Sequence, residues 1–304
     1  MPDESICAGL IIQAQSGFFT VATGAGPVVC QLRGKLKQGR AAGDLAALGD
    51  HVQLQILPDG SGVIESIEPR VRAIVRLDPR PRGVYRQVLL ANADQAVFIF
   101  ACAHPEPRLR MLDRFLVIAE KQGVPPIIVA NKIDLVSESR ALELFAAYKP
   151  AGYTVLYTSA ATGAGVDQLA QRLSGKITVL AGPSGAGKSS LLNAVHPGLG
   201  LQVKDVGAVN KGQHTTVVRQ LYPLGDGRSY VADTPGWKSL ALWDTQPEEL
   251  DAYFPEIRPL VSECKFSDCS HTHEAGCAVR AAVELGRLHP DRYDSYVRLR
   301  AGEV

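Results

Sequence analysis

Three stretches of unlike pattern predict a multidomain chain: a small β-barrel, then an α/β domain with a helix-covered sheet, then a helical segment fastened by metal. Five short apolar or alternating runs fill residues 1–70, and buried-type strands alternate with amphipathic helices from residue 96. Cys264, Cys269 and Cys277 stand with His271 and His273 near the end. The expected boundaries are 1–70, 71–240 and 241–304. A chain of 304 residues is long enough for such units to bury their own cores. Its composition, 46% apolar and 21% charged with 32 basic against 31 acidic residues, excludes a disordered chain or a long charged tail. No apolar run is long enough for a membrane span, and the opening MPDESICAGLIIQ carries acids where a signal peptide carries basic residues. A cytoplasmic monomer with no membrane partner is expected.

The barrel runs cover 9–13, 18–22, 28–32, 51–57 and 62–67, separated by glycine-containing turns. Five such strands suit a small barrel whose loops commonly meet oligonucleotides. Arg33, Lys35, Lys37 and Arg40 form an acid-free basic stretch in what reads as a strand-to-strand loop, and Phe18 and Phe19 alternate between core and surface. Arg70, Arg72, Arg76, Arg80, Arg82 and Arg86 follow, opposed only by Asp78 and punctuated by proline and glycine as a linker is. They suit phosphate contact, though a solvated connection between domains has the same polarity. By region the net charge is −2, +8 and −5, so an anionic partner would meet the middle of the chain.

In the middle domain AVFIFACA from residue 96 and PIIVAN from residue 126 read as buried strands, with helices expected over 109–122 and 138–148. Leu112, Leu116 and Ala119 recur at helical spacing. TVLYTS, ITVLAG and SYVAD add strands from residues 154, 177 and 229, completing the alternation of a sheet covered on both faces.

The strongest local signal is the run Gly182, Pro183, Ser184, Gly185, Ala186, Gly187, Lys188 and Ser189, followed by Ser190, between an apolar strand and a helix-compatible stretch. The glycines allow tight curvature and the amide hydrogens cradle phosphate. Lys188 neutralises the outer phosphates and the Ser189 hydroxyl suits magnesium. Asp233 ends a strand and opens the DTPG turn, a position for a magnesium-linked acid, and Gly236 can place its amide near a terminal phosphate. Between them Thr215 and Thr216 offer a further magnesium ligand, and the residues do not choose between the two. Base choice needs another group. Asn131, Lys132 and Asp134 follow the PIIVA strand, where Asp134 can accept paired hydrogen bonds from the ring N–H and amine of guanine. Asn131 can brace neighbouring loops and the Lys132 stem can lie over the base. Ser159 and Ala160, after the next strand, can offer backbone hydrogens to the base carbonyl.

The order of these motifs is unusual, because base recognition precedes phosphate binding, the threonine pair and DTPG. In that order the chain resembles the circularly permuted GTPases, and specifically the ribosome small-subunit-dependent GTPase A family. The resemblance runs from GFFTV at Gly17 through NADQ at Asn92 to the terminal cysteines. It implies an OB-type barrel, a circularly permuted P-loop GTPase domain and a zinc-binding helical domain. It further implies GTP as substrate, magnesium and zinc as cofactors, the small ribosomal subunit and its rRNA as partners, and ribosome-stimulated hydrolysis late in maturation of that subunit. Trp237 stands where Ras-like enzymes place a water-positioning glutamine, so intrinsic hydrolysis should be slow. The resemblance puts His214 in that role, and loop bracing or RNA contact are its other readings.

Three thiolates and one imidazole satisfy tetrahedral zinc and leave no open position, so the terminal metal would fasten a fold and not catalyse. His271 and His273 can each donate a nitrogen. The resemblance implies Cys264, Cys269, His271 and Cys277.

Overall fold

The computed structural model of the chain describes residues 6–38, 44–77, 86–201, 219–233 and 245–303. Strands β1 (Ile6–Gln15), β2 (Phe18–Thr23), β3 (Gly26–Leu32), β4 (His51–Ile56) and β5 (Gly62–Ile67) answer the five runs read from the sequence. Their pairing is β1–β2, β2–β3, β3–β5, β5–β4 and β4–β1, which closes the sheet. Only β3–β5 is parallel, and closure removes the free edges that five short strands would otherwise expose. Alternation decides which side chains fill the interior: Ile11, Val21, Val52, Leu54 and Ile64 are fully enclosed. Phe19 is buried and Phe18 half exposed, the alternation of neighbouring positions on a strand. A 3-10 turn over Gly34–Gln38 carries Lys35 and Lys37 of the basic stretch, Arg33 just before it pairs with Glu65, and Arg40 lies outside the described residues.

The stretch expected as a linker contains strands instead: β6 (Ala73–Leu77) and β7 (Arg86–Ala91) pair antiparallel. Its first arginine is not free for phosphate. Arg70 binds the fully buried Asp50 through two contacts of 2.7 and 2.8 Å, and also meets the carbonyls of Asp44 and Leu45. Arg80 and Arg82 lie outside the described residues.

The chain continues through β8 (Gln95–Ala101), α1 (Leu109–Lys121), β9 (Pro126–Asn131), α2 (Glu138–Leu144), β10 (Thr154–Thr158), α3 (Val166–Leu173), β11 (Ile177–Ala181), α4 (Lys188–Val195), β12 (Arg219–Pro223) and β13 (Tyr230–Asp233). Two further helices, α5 (Ala278–Glu284) and α6 (Pro290–Arg300), close it. Helix α2 stops earlier than the apolar pattern predicts; Phe145 and Tyr148 remain buried in the turns that follow. Among the described residues no helix is long and apolar enough to cross a membrane.

Two compact units result. In the first, built by the described residues of Met1–Gln95, Leu173–Leu180 and Gly207–Ala241, β11 pairs parallel with β13, β13 antiparallel with β12, and β12 antiparallel with β1 of the barrel. That last junction rests on Gln13↔Gln220 and Ala14↔Arg219. In the second unit β10, β9 and β8 run parallel, every residue of β8 being buried, as a strand covered on both faces requires. The same unit holds the terminal helices. Val117 of α1 packs into one apolar cluster with Leu250, Phe254, Ile257, Val279, Ala282, Leu288 and Tyr296.

At the centre of that packing Arg292 of α6 is 1% exposed. Its guanidinium bonds Asp113 of α1 and Glu256, each at 2.6 Å, and lies over the rings of Phe254, Tyr148 and Tyr153. Burial works against the charge, and the Asp113 and Glu256 carboxylates more than offset it, so the guanidinium pKa is raised. Ser295 donates to the other oxygen of Asp113.

Candidate functional site

The phosphate loop leaves β11 at Ala181 and bends through Gly182, Gly185 and Gly187, all at positive φ. At two of these glycine is forced by close approach. A Cβ on Gly182 would stand 2.1 Å from the Ile99 carbonyl oxygen, and one on Gly187 would stand 2.4 Å from Nδ2 of Asn131. Gly187 then caps α4, whose first turn carries Lys188, Ser189 and Ser190 at the end of a helix where anions are favoured. The Lys188 ammonium folds back to the carbonyls of Gly182 and Pro183, 3.1 Å from each. Pro183, Ser184 and Ala186 complete the loop, with Ala186 fully buried.

Asn131 joins this loop to the segment that follows β9. Its Nδ2 donates to the Ala186 carbonyl at 2.9 Å, and its Oδ1 accepts from Thr158 at 3.1 Å. Lys132 takes a left-handed conformation, and its amine reaches the carbonyl of His104. The Ser159 hydroxyl donates to Oδ1 of Asp134 at 2.5 Å, fixing the carboxylate. The Ser159 N–H is committed to the Ala164 carbonyl at 2.9 Å, so the side chain of Ser159, not its amide, faces Asp134. Ala160 follows in the same turn.

Asp233 is the last residue of β13, in register with Leu180. His214, Thr215, Thr216 and Gly236 lie outside the described residues.

At the other end of the chain the donor atoms of Cys264, Cys269, His271 and Cys277 lie within 4.8 Å of one another. His271 is fully buried, whereas the side chain of His273 is 83% exposed and stands outside the group. The sequence leaves these two histidines open; burial separates them. The cluster is held from outside by carboxylate and phenol. Glu274 accepts from the backbone of Ser270, Thr272 and His273, and from the Ser270 hydroxyl, which with those amides holds it well below the usual carboxylate range. Tyr293 and Tyr296 donate to the carbonyls of His271 and Ser270 at 2.7 and 3.1 Å. Burial pushes the Cys269 thiol up to about 12, so a cation must displace its proton to bind. Three soft sulfurs and one imidazole, converging and largely enclosed, fit tetrahedral zinc.

A phosphate loop tied through Asn131 to a base-recognition segment that precedes it in the chain defines a P-loop nucleotide-binding protein with permuted motif order. The chain belongs to the RsgA GTPase family. The family model described as RsgA GTPase matches residues 67–243, and that described as RsgA N-terminal domain matches residues 8–64. The "Small ribosomal subunit biogenesis GTPase RsgA" of Gemmatimonas aurantiaca is 45% identical over 296 residues, covering 96% of each chain. That of Moorella thermoacetica is 39% identical, over 95% of this chain and 94% of its own. Among solved structures, YjeQ from Thermotoga maritima superposes with a TM-score of 0.81 at 36% identity, covering 98% of this chain and 99% of that one. YloQ, described as a circularly permuted GTPase, gives 0.77 at 32% identity, covering 100% and 97%.

Proposed function

We propose that this protein hydrolyses GTP to GDP and phosphate in the cytoplasm when it engages the small ribosomal subunit and its rRNA, late in that subunit's maturation. The observation that carries the reading is the Asn131–Ala186 hydrogen bond, which joins guanine recognition and phosphate binding in one compact unit. Membership of the RsgA GTPase family and its similarity to small ribosomal subunit biogenesis GTPases support the biological setting.

In this reading Asp134 accepts from the guanine ring N–H and exocyclic amine, and the Ala160 amide meets the base carbonyl. The Lys132 stem lies over the base. Backbone N–H groups of the phosphate loop and the start of α4, with Lys188, hold the phosphates. Ser189 supplies a hydroxyl to magnesium, whose chemistry is to neutralise charge on the β- and γ-phosphates. In the sequence reading Asp233 would hold the ion through water, and one of Thr215 and Thr216 would complete its shell. His214 orients the attacking water; its oxygen bonds to the γ-phosphorus as the bond from that phosphorus to the β–γ bridging oxygen breaks. The Gly236 amide follows the γ-phosphate. The barrel and the segment from 241 dock on RNA, so the functional divisions are 1–70, 71–240 and 241–304.

With Trp237 in place of a water-positioning side chain, purified protein should turn GTP over slowly and accelerate with added small subunits. Phosphate release measured across subunit concentrations tests this; turnover indifferent to the subunit would remove the proposed activation. Zinc fastens the terminal fold in the same reading. Chelating it should expose residues 245–303 to protease before residues 96–201, and a digestion pattern unchanged by chelation would overturn the structural role of the metal.

A further inference from the structure

We propose that Asp251 is the outer carboxylate of the terminal metal site, accepting the Nε2–H of His271 and so fixing Nδ1 as the nitrogen that meets the metal. The inference rests on the zinc reading above and adds a residue that the four-ligand cluster does not contain.

The two ring nitrogens are placed differently. Nδ1 lies 3.4 Å from Sγ of Cys264 and 3.5 Å from Sγ of Cys277. With Zn–N of about 2.0–2.1 Å and Zn–S of about 2.3 Å, a tetrahedron has N···S edges of about 3.5 Å, so Nδ1 already occupies a corner. Nε2 points the other way. It is buried and without a hydrogen-bond partner, and Oδ2 of Asp251 stands 3.6 Å from it.

Chemistry turns that spacing into a role. A neutral imidazole that gives its Nδ1 lone pair to a metal must carry its proton on Nε2. A buried N–H needs an acceptor, and the carboxylate is a few tenths of an ångström beyond normal hydrogen-bond reach. Asp251 sits on the 3-10 helix over Pro247–Tyr253, and Leu250 of that helix packs in the same cluster as Cys277 and Tyr296. The side chain of Asp251 is 21% exposed, so it stays hydrated on one side while facing the ring on the other. The ring is enclosed at this site: His271 is fully buried, Tyr293 holds its carbonyl, and the Tyr296 ring lies 6.0 Å away centroid to centroid.

The test uses the full chain. Zinc affinity is measured by competition with a chromogenic chelator for wild type, Asp251→Ala, Asp251→Asn and the control Glu248→Ala on the same helix. Asp251→Ala should weaken zinc binding about 10- to 100-fold, Asp251→Asn less because it keeps a carbonyl acceptor, and the control should match wild type. Long-range proton–nitrogen NMR of the zinc-loaded wild type should show His271 protonated at Nε2 and metal-bound at Nδ1. Equal affinities for wild type and both Asp251 variants, or a proton on Nδ1, would overturn the assignment. Should Asp251→Ala fail to fold, the wild-type spectrum and the asparagine variant still decide. A wild type that binds no zinc would sink the zinc reading and this one together; zinc binding indifferent to Asp251 sinks this one alone.

Discussion

Asp134→Asn should abolish the preference for guanine nucleotides while leaving the fold intact. The Ser159 hydroxyl holds one carboxylate oxygen, and an asparagine carbonyl can accept that same bond, so the loop should keep its shape. What is lost is the acceptor for the ring N–H and amine of guanine. Removing one partner of a desolvated, charge-assisted contact costs about 2–5 kcal/mol, or roughly 30- to several-thousand-fold in affinity. A side-chain amide in that position should instead accept a purine with a carbonyl where guanine has its amine, as in xanthine. Titration with GTP and XTP checks both directions, and an unchanged preference for GTP would refute the role given to Asp134.

Arg292→Ala should cost about 3–5 kcal/mol in the stability of the unit that holds the terminal helices, because it strands two carboxylates inside the protein. Asp113 and Glu256 have side chains only 5% and 8% exposed, and each loses its guanidinium partner at once. Three aromatic faces lose their neighbour as well. Denaturant unfolding followed by hydrogen exchange in α1 and α6 measures the loss. Replacing all three charges by apolar side chains of similar volume should recover most of it, since such a triad stabilises little against a well-packed apolar core. A near-neutral Arg292→Ala would show that water reaches the carboxylates.

Legibility followed the range of the interaction. The barrel strands were readable because alternation and turn glycines are local, and observed bounds differ from those expected by a few residues at most in the barrel. The strand-and-helix setting of the Gly182–Ser190 run and the strand end at Asn131 were readable for the same reason, because each lies in a short stretch whose sequence neighbours supply the pattern. The hairpin β6–β7 was not, because arginines crowding 70–86 mimic a solvated connector. The pairing of Arg70 with Asp50 spans 20 residues and leaves no local pattern. Arg292 lies among Asp291, Tyr293 and Asp294 in a stretch that reads as a polar helix face, and only packing against α1 shows it buried. The zinc ligands were legible as a set. The choice between His271 and His273 needed burial, and Glu274 and Asp251 had no signal beyond being acids near cysteines.

The junction between β1 and β12 has a mechanical meaning. In sequence, residues 202–218, which include His214 and both threonines, immediately precede β12, and β12 pairs with a barrel strand through its main chain. A displacement of the barrel would therefore reach β12 through main-chain pairing. Such a lever tolerates drift in the residues along its surface, because its linkage lies in peptide groups that every sequence shares.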